Sequence, residues 1–521
     1  MICPREGRRD IPVKKQINLG ILLSFIAQGI AVAVNLVYTP MLVRILGTDE
    51  YGLYQLVQSV VNYLNLMNFG FNGAYISFFA REKTKRDENA IARLNGVFLM
   101  VFMGISVLCL IAGAVLVRNI YILGNNLTQS DYATAVRLLR ILVLNAALNF
   151  PNCIFTVYIA ANERFVFKQS VSILINLLIP LCNLPLLLHG YGSIGIASVT
   201  LGLSVLRLML NMFFCLGKLK MRFRFGLPDK ALLENLVAFT FFIFLSDVVD
   251  QMNSNVDKFL LARILGKVPV AVYSVGFELG TYYTFCSWVI PEMFIPEANR
   301  IAVEEQDNGK LTELFTRIGR YNNYVLLLVL TGFILVGKSF IHLWVGDGYE
   351  DSYFTAVILM LAYYIPSVQT LGVNIQNAKN MHRPRSVIYF VIACANIFFS
   401  IPLIRRWGVV GTSLGTFIAL FLGVGIFMNI YYHRKIGLNV FVFWKEILRW
   451  TCPAAILCCV AGLIMPHIEI DSWLRLAVFI LVYSSVYMLV LYLFGLRHEE
   501  RKALHSYVRA QKSKWKKGST R

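Results

Sequence analysis

The chain has 521 residues, of which 57% are hydrophobic and only 15% charged, and its net charge is +20. A soluble protein keeps roughly a quarter of its residues charged, so this composition excludes a water-soluble globular fold. The excess of Lys and Arg would suit nucleic acid on a soluble chain, but on a membrane chain it marks the cytoplasmic side, and no nucleic-acid partner is expected.

Apolar stretches of about twenty residues recur along the chain, each long enough to cross a hydrocarbon core of about 30 Å. Six spans are predicted at Asn18–Leu46, Tyr51–Ala80, Asn95–Val117, Ala133–Ala160, Ser170–His189 and Ile194–Leu216. Arg5, Arg8, Arg9, Lys14 and Lys15 precede the first of them, and no small-residue cleavage site follows it, so a retained anchor is expected there. Six more spans are predicted at Leu232–Leu265, Val268–Ala298, Asn322–Leu343, Tyr353–Lys379, Val387–Ile404 and Val409–Tyr432. Two last ones fall at Leu448–Met465 and Trp473–Gly495. The ten cysteines are scattered through these segments without metal-type spacing, which reads as packing rather than redox or metal chemistry.

Charge tests the layout. Alternate connections are basic, as at Arg81, Lys83, Lys85 and Arg86, at Lys218, Lys220, Arg222 and Arg224, and in a tail with Lys512, Lys514, Lys516 and Lys517. Those between them are short and often acidic, as at Asp49–Glu50 and Glu469–Asp471. The positive-inside rule then places both termini in the cytoplasm of a multi-pass plasma-membrane protein with an even number of crossings.

The chain also repeats itself. Arg44-Ile45-Leu46-Gly47 matches Arg263-Ile264-Leu265-Gly266, with Tyr54 and Tyr273 following at the same offset. Tyr191-Gly192-Ser193-Ile194-Gly195 matches Trp407-Gly408-Val409-Val410-Gly411 at nearly that offset. Six helices per half is an even number, so the repeat is parallel, with a substrate path between halves. The expected fold is an all-α polytopic membrane protein of about fourteen helices. It comprises a six-helix lobe at 1–225, a second at 226–436, two additional helices at 437–496 and a basic cytoplasmic tail at 497–521.

The seventh span breaks the apolar pattern. Asp247, Asp250, Gln251, Ser254, Asp257 and Lys258 fall on one helical face. A charge at the bilayer centre costs at least about 2.5–3.5 kcal/mol, so that face should meet a cavity or a partner rather than lipid. One reading makes Asp247, Asp250 and Asp257 the groups that bind a coupling cation. The other makes a structural network in which Asp257 pairs with Lys258 or Arg44. Asn62, Asn65, Asn68 and Asn72 line one stripe of the second span, and Gln28 and Asn35 occupy the first; amides there either line a path or join helices. For an acidic or diphosphate cargo the candidate cations are Arg207, Lys258, Arg44 and Arg140, with Asn35, Asn62 and Asn65 as neutral substrate contacts. For Arg44 the alternative is snorkelling to outer headgroups. Neither GxxxxGK[ST] nor HExxH occurs, so ATP coupling and zinc proteolysis are unsupported and no metal or organic cofactor is expected.

Leu42-Val43-Arg44-Ile45-Leu46-Gly47 followed by Glu50-Tyr51-Gly52-Leu53-Tyr54 resembles the opening signature of the Wzx-type oligosaccharide flippases. These belong to the multidrug/oligosaccharidyl-lipid/polysaccharide (MOP) flippase superfamily. Asn255-Val256-Asp257-Lys258-Phe259-Leu260-Leu261 through Gly266 and Val272-Tyr273-Ser274 is similar to the start of its second lobe. The resemblance implies two six-helix lobes, alternating access, an undecaprenyl-diphosphate-linked glycan as cargo, and an H+ or Na+ gradient or the membrane potential as driving force. It also implies that other polysaccharide-assembly membrane proteins are partners. A multidrug/cation antiporter and a lipid II flippase are alternatives within the superfamily. A membrane-embedded glycosyl or polymer-ligating enzyme and an envelope scaffold are alternatives outside it.

Overall fold

A computed structural model of the chain describes residues 13–502, apart from 125–126, 227–243, 245–246, 250, 253–254, 380, 382 and 499. Among the described residues every regular element is a helix. Half of the predicted Leu232–Leu265 span lies outside them; its described end forms α7, residues 255–265.

The first half comprises α1 (Val13–Leu64), α2 (Phe71–Lys85), α3 (Glu88–Arg118), α4 (Gln129–Ala161), α5 (Phe165–Leu188) and α6 (Gly192–Phe213). Polar side chains cap the starts of α3 and α4. Asp87 accepts from the Ala90 N–H at 2.9 Å, and Thr128 and Asp131 form a reciprocal capping box at the head of α4. The second half continues with α8 (Lys267–Cys286), α9 (Val289–Arg300), α10 (Asn308–Val345), α11 (Glu350–Val368), α12 (Thr370–Ala378) and α13 (Arg383–Leu420). Wide helical turns and the three-residue α14 (Asn429–Tyr431) lead to α15 (Val440–Ile464) and α16 (Trp473–Val490).

Ten described helices are long and apolar enough to cross a membrane. Two of them, Ile26–Lys85 and Pro384–Ile436, run 60 and 53 residues. At about 1.5 Å per residue each is long enough for two crossings. The first breaks at Gly47 (φ 73°) and the second at Trp407–Gly408 (Gly408 φ 58°). With α7 and the α8–α9 pair, this agrees with a fold of about fourteen helices. Two predicted single spans are divided. Val268–Ala298 breaks at Ser287–Trp288 between α8 and α9, just before Pro291, and Tyr353–Lys379 breaks at Gln369, just after Pro366. Each proline removes a helical hydrogen-bond donor.

The repeat is visible in the backbone. Gly47 and Gly266 (φ 73° and 97°) both adopt the left-handed region, as do Gly192 and Gly408 (56° and 58°). Matched motifs therefore place glycine at matched positions of positive φ.

Two compact units are formed: Met1–Val275 with Ser386–Ala419, and Gly276–Arg385 with Leu420–Arg521. In the first, α4 packs against α1, α3 and α6, burying Leu138, Leu139, Leu142 and Ile154. In the second, α15 and α16 pack on α10, where the Trp450 indole donates to Tyr487 Oη at 2.8 Å and the Tyr487 hydroxyl donates to the Tyr324 carbonyl at 2.8 Å. Buried Arg320 on α10 pairs with Glu446 at 3.5 Å and with Glu500, while Arg497 pairs with Glu446 at 2.7 Å.

Candidate transport site

Three side chains on the second half of α1, at i, i+3 and i+7, face the seventh helix within the first compact unit. Gln55 Oε1 accepts from Lys258 Nζ at 3.1 Å. Gln58 donates to Asn62 Oδ1 at 3.0 Å, and Asn62 donates to Asn255 Oδ1 at 3.3 Å. Asn255 in turn donates to Gln251 Oε1 at 2.6 Å. The result is a polar seam of amides ending in one ammonium group.

Asp257 lies on another face of the seventh helix and has no exposed surface. Its Oδ2 accepts from the Tyr273 hydroxyl at 2.8 Å and from Thr416 Oγ1 at 2.9 Å, and its Oδ1 from Asn396 Nδ2 at 3.3 Å. Ser400 Oγ donates to Asn396 Oδ1 at 3.0 Å, extending the cluster. These groups come from α8 and from both limbs of α13. The limbs meet closely because position 415 is glycine: a Cβ there would lie 2.9 Å from Ser400 Cα. All of Asp257's partners among the described residues are neutral, and neither Lys258 nor Arg44, the cations expected as its structural counter-ions, is one of them. A buried carboxylate with only neutral donors retains an uncompensated charge, which a cation or a proton would neutralise. The cluster offers a carboxylate, hydroxyls and an amide but no thiolate or imidazole, which does not suit a soft transition metal. Among the described residues no group of three or more His, Cys, Asp or Glu could hold a metal ion.

The remaining candidates are dispersed. Asp247 is half-buried in the seventh helix, and Asp250 lies outside the described residues. Arg207 is half-buried on α6 and makes no hydrogen bond or ion pair among the described residues. Arg44, Arg140, Asn35 and Asn65 are exposed on the protein surface. Of the ten candidates, Lys258, Asn62 and Asp257 sit at the seam or the buried pocket. Reading the sequence for single anomalous helices missed Asn396, Ser400 and Thr416, which stand as isolated polar residues in apolar α13. It also missed an amide stripe on α4, Asn145, Asn149, Asn152 and Thr156, although its helical spacing was legible.

Beyond the seam the two repeat elbows meet. Lys267 Nζ lies 2.8 Å from Asp131 Oδ1 and 3.7 Å from Asp49 Oδ2. A Cβ at Gly52 would lie 2.1 Å from the Lys267 carbonyl oxygen, so only glycine permits this approach. Glu50 Oε1 accepts from both the backbone N–H and the hydroxyl of Ser193 at 2.6 Å. The acidic end of this unit is thus closed by one lysine, one glutamate and a glycine contact.

This architecture has known counterparts. The family model described as "Polysaccharide biosynthesis protein" matches residues 18–285, just over half of the chain. A Bacillus subtilis (strain 168) protein named uncharacterized membrane protein EpsK is 22% identical over 489 residues, 91% of this chain and 94% of its own length. Among solved structures, the lipid II flippase MurJ in an inward closed conformation superposes with a TM-score of 0.71 at 15% identity, over 92% of this chain and 98% of that one. An inward-facing multidrug resistance MATE transporter of the MOP superfamily gives 0.64 at 14% identity, over 80% and 98%. The chain therefore belongs to the polysaccharide biosynthesis protein family and has the helical fold of the MOP flippases and transporters.

Proposed function

We propose that this protein is a flippase that carries an undecaprenyl-diphosphate-linked oligosaccharide from the cytoplasmic to the outer leaflet of a bacterial plasma membrane, for surface polysaccharide synthesis. It works by alternating access of its two repeat-related halves, with both termini in the cytoplasm, and acts as a transporter rather than an enzyme. The polar headgroup crosses along the seam of Gln55, Gln58, Asn62, Asn255 and Lys258 while the polyprenyl tail stays in lipid. Lys258 and Arg207 meet the diphosphate or acidic sugars, and H+ or Na+ binding at Asp257 couples the cycle to an ion gradient. Asp247 and Asp250 add charge to the same helix. Other membrane proteins of polysaccharide assembly are its partners.

The observation that carries this reading is the uncompensated, fully buried Asp257 beside an amide seam, inside a fold shared with a lipid-carrier flippase. Deleting the gene tests it. The expected result is accumulation of polyprenyl-diphosphate-linked oligosaccharide inside cells and loss of the surface polymer. An intact polymer with no accumulation refutes it, and sensitivity to cationic dyes in those cells would favour the drug/cation antiporter instead.

A further inference from the structure

Asn145, Asn149, Asn152 and Thr156 occupy one face of α4 at i, i+4, i+7 and i+11. The end of this stripe nearer the acidic elbows differs from the other. Asn152 Oδ1 and Thr156 Oγ1 accept from Asn211 Nδ2 on α6 at 2.9 and 3.2 Å, which fastens α6 to α4. Asn145 and Asn149 make no hydrogen bond among the described residues, and Asn145 Oδ1 is buried. Arg207 lies one turn from Asn211 on the same face of α6, toward those two amides, and it too has no partner among the described residues. On α2, Asn72 is hydrogen-bonded through its side chain to the Cys153 thiol of α4. Its Oδ1 is buried without a donor, as is that of Asn68 in the connection between α1 and α2.

An unsatisfied buried amide and an unpaired half-buried guanidinium are each costly, and helix-joining asparagines are expected to be hydrogen-bonded to a neighbouring helix. Asn152, Asn211 and Asn72 meet that expectation; Asn145 and Asn149 do not. A side-chain amide both donates and accepts, as a sugar hydroxyl does, and a guanidinium fork pairs with phosphate or carboxylate oxygens.

We propose that Asn145, Asn149 and Arg207 form a subsite for a hydroxyl-rich sugar ring that carries or adjoins an anionic group. This rests on the flippase reading above and specifies where and how the glycan is read. The amides contact the sugar, and Arg207 contacts the anion.

The full chain in lipid nanodiscs is titrated with two probes. One is the lipid-linked oligosaccharide extracted from cells lacking the gene, and the other is polyprenyl diphosphate without sugar. Asn145→Leu/Asn149→Leu is expected to weaken the first by about tenfold, from two lost hydrogen bonds, and to leave the second unchanged. Arg207→Gln is expected to weaken both. Asn145→Ala/Asn149→Ala gives the same comparison if the leucine variant melts early. Unaltered affinity of the double variants for both probes overturns the subsite. Absence of any accumulated lipid-linked oligosaccharide in the deleted cells is a different result and refutes the flippase reading itself.

Discussion

Asp257 carries three hydrogen bonds from neutral donors and no exposed surface. Asparagine can keep the same shape and most of these contacts, so Asp257→Asn should reach the membrane at normal levels and melt like the unaltered chain. It should nevertheless lose its response to an ion gradient. Moving one elementary charge through a potential of 100 mV is worth about 2.3 kcal/mol, so losing one coupled cation lowers the attainable gradient of cargo by about fiftyfold. Transport in vesicles with imposed H+ or Na+ gradients measures this, and gradient-stimulated transport in the variant would remove the coupling role. The acid itself was legible, because a carboxylate in an apolar stretch stands out. Its partners were not: Asn396, Ser400 and Thr416 are ordinary polar residues until α13 folds back on itself and places them beside it.

The elements that close the acidic end are two elbows with the same sequence, Arg-Ile-Leu-Gly, and the same left-handed glycine. Their identity as turns was readable from the repeat, whereas their mutual contact through Lys267, Asp131, Asp49 and Gly52 was not. Charges 136 residues apart become an ion pair only once α4 and α8 are placed side by side. In the proposed topology this end faces outward, and Lys267→Gln should loosen its closure by about 1 kcal/mol, the scale of a partly screened pair, and open the seam roughly fivefold more often. Reaction of a Gln55→Cys variant with a membrane-impermeant maleimide, in intact cells with and without Lys267→Gln, reads the change; equal rates would show that the lysine does not hold the closure. The divided helices carry a similar lesson. Val268–Ala298 reads as one apolar run, yet Pro291 and Pro296 deprive its second part of backbone donors, and the helix restarts at Val289.

Over the whole molecule, basic and acidic connections alternate in phase with the observed helices, which supports cytoplasmic termini. A fluorescent protein fused after Arg521 should therefore glow, and alkaline phosphatase fused at the same place should be inactive; the opposite pair of results would invert the topology. Hydropathy, charge alternation and the matched motifs are properties of neighbouring residues, so the sequence by itself determined the membrane class, a fold of about fourteen helices, the repeat and the buried acid of the seventh helix. The tertiary structure decided which polar residues meet. Asp257 finds Asn396 and Thr416 at separations of 139 and 159 residues, and Asn62 finds Asn255 at 193. Such pairings depend on how helices rotate and stack in three dimensions, which local periodicity does not encode.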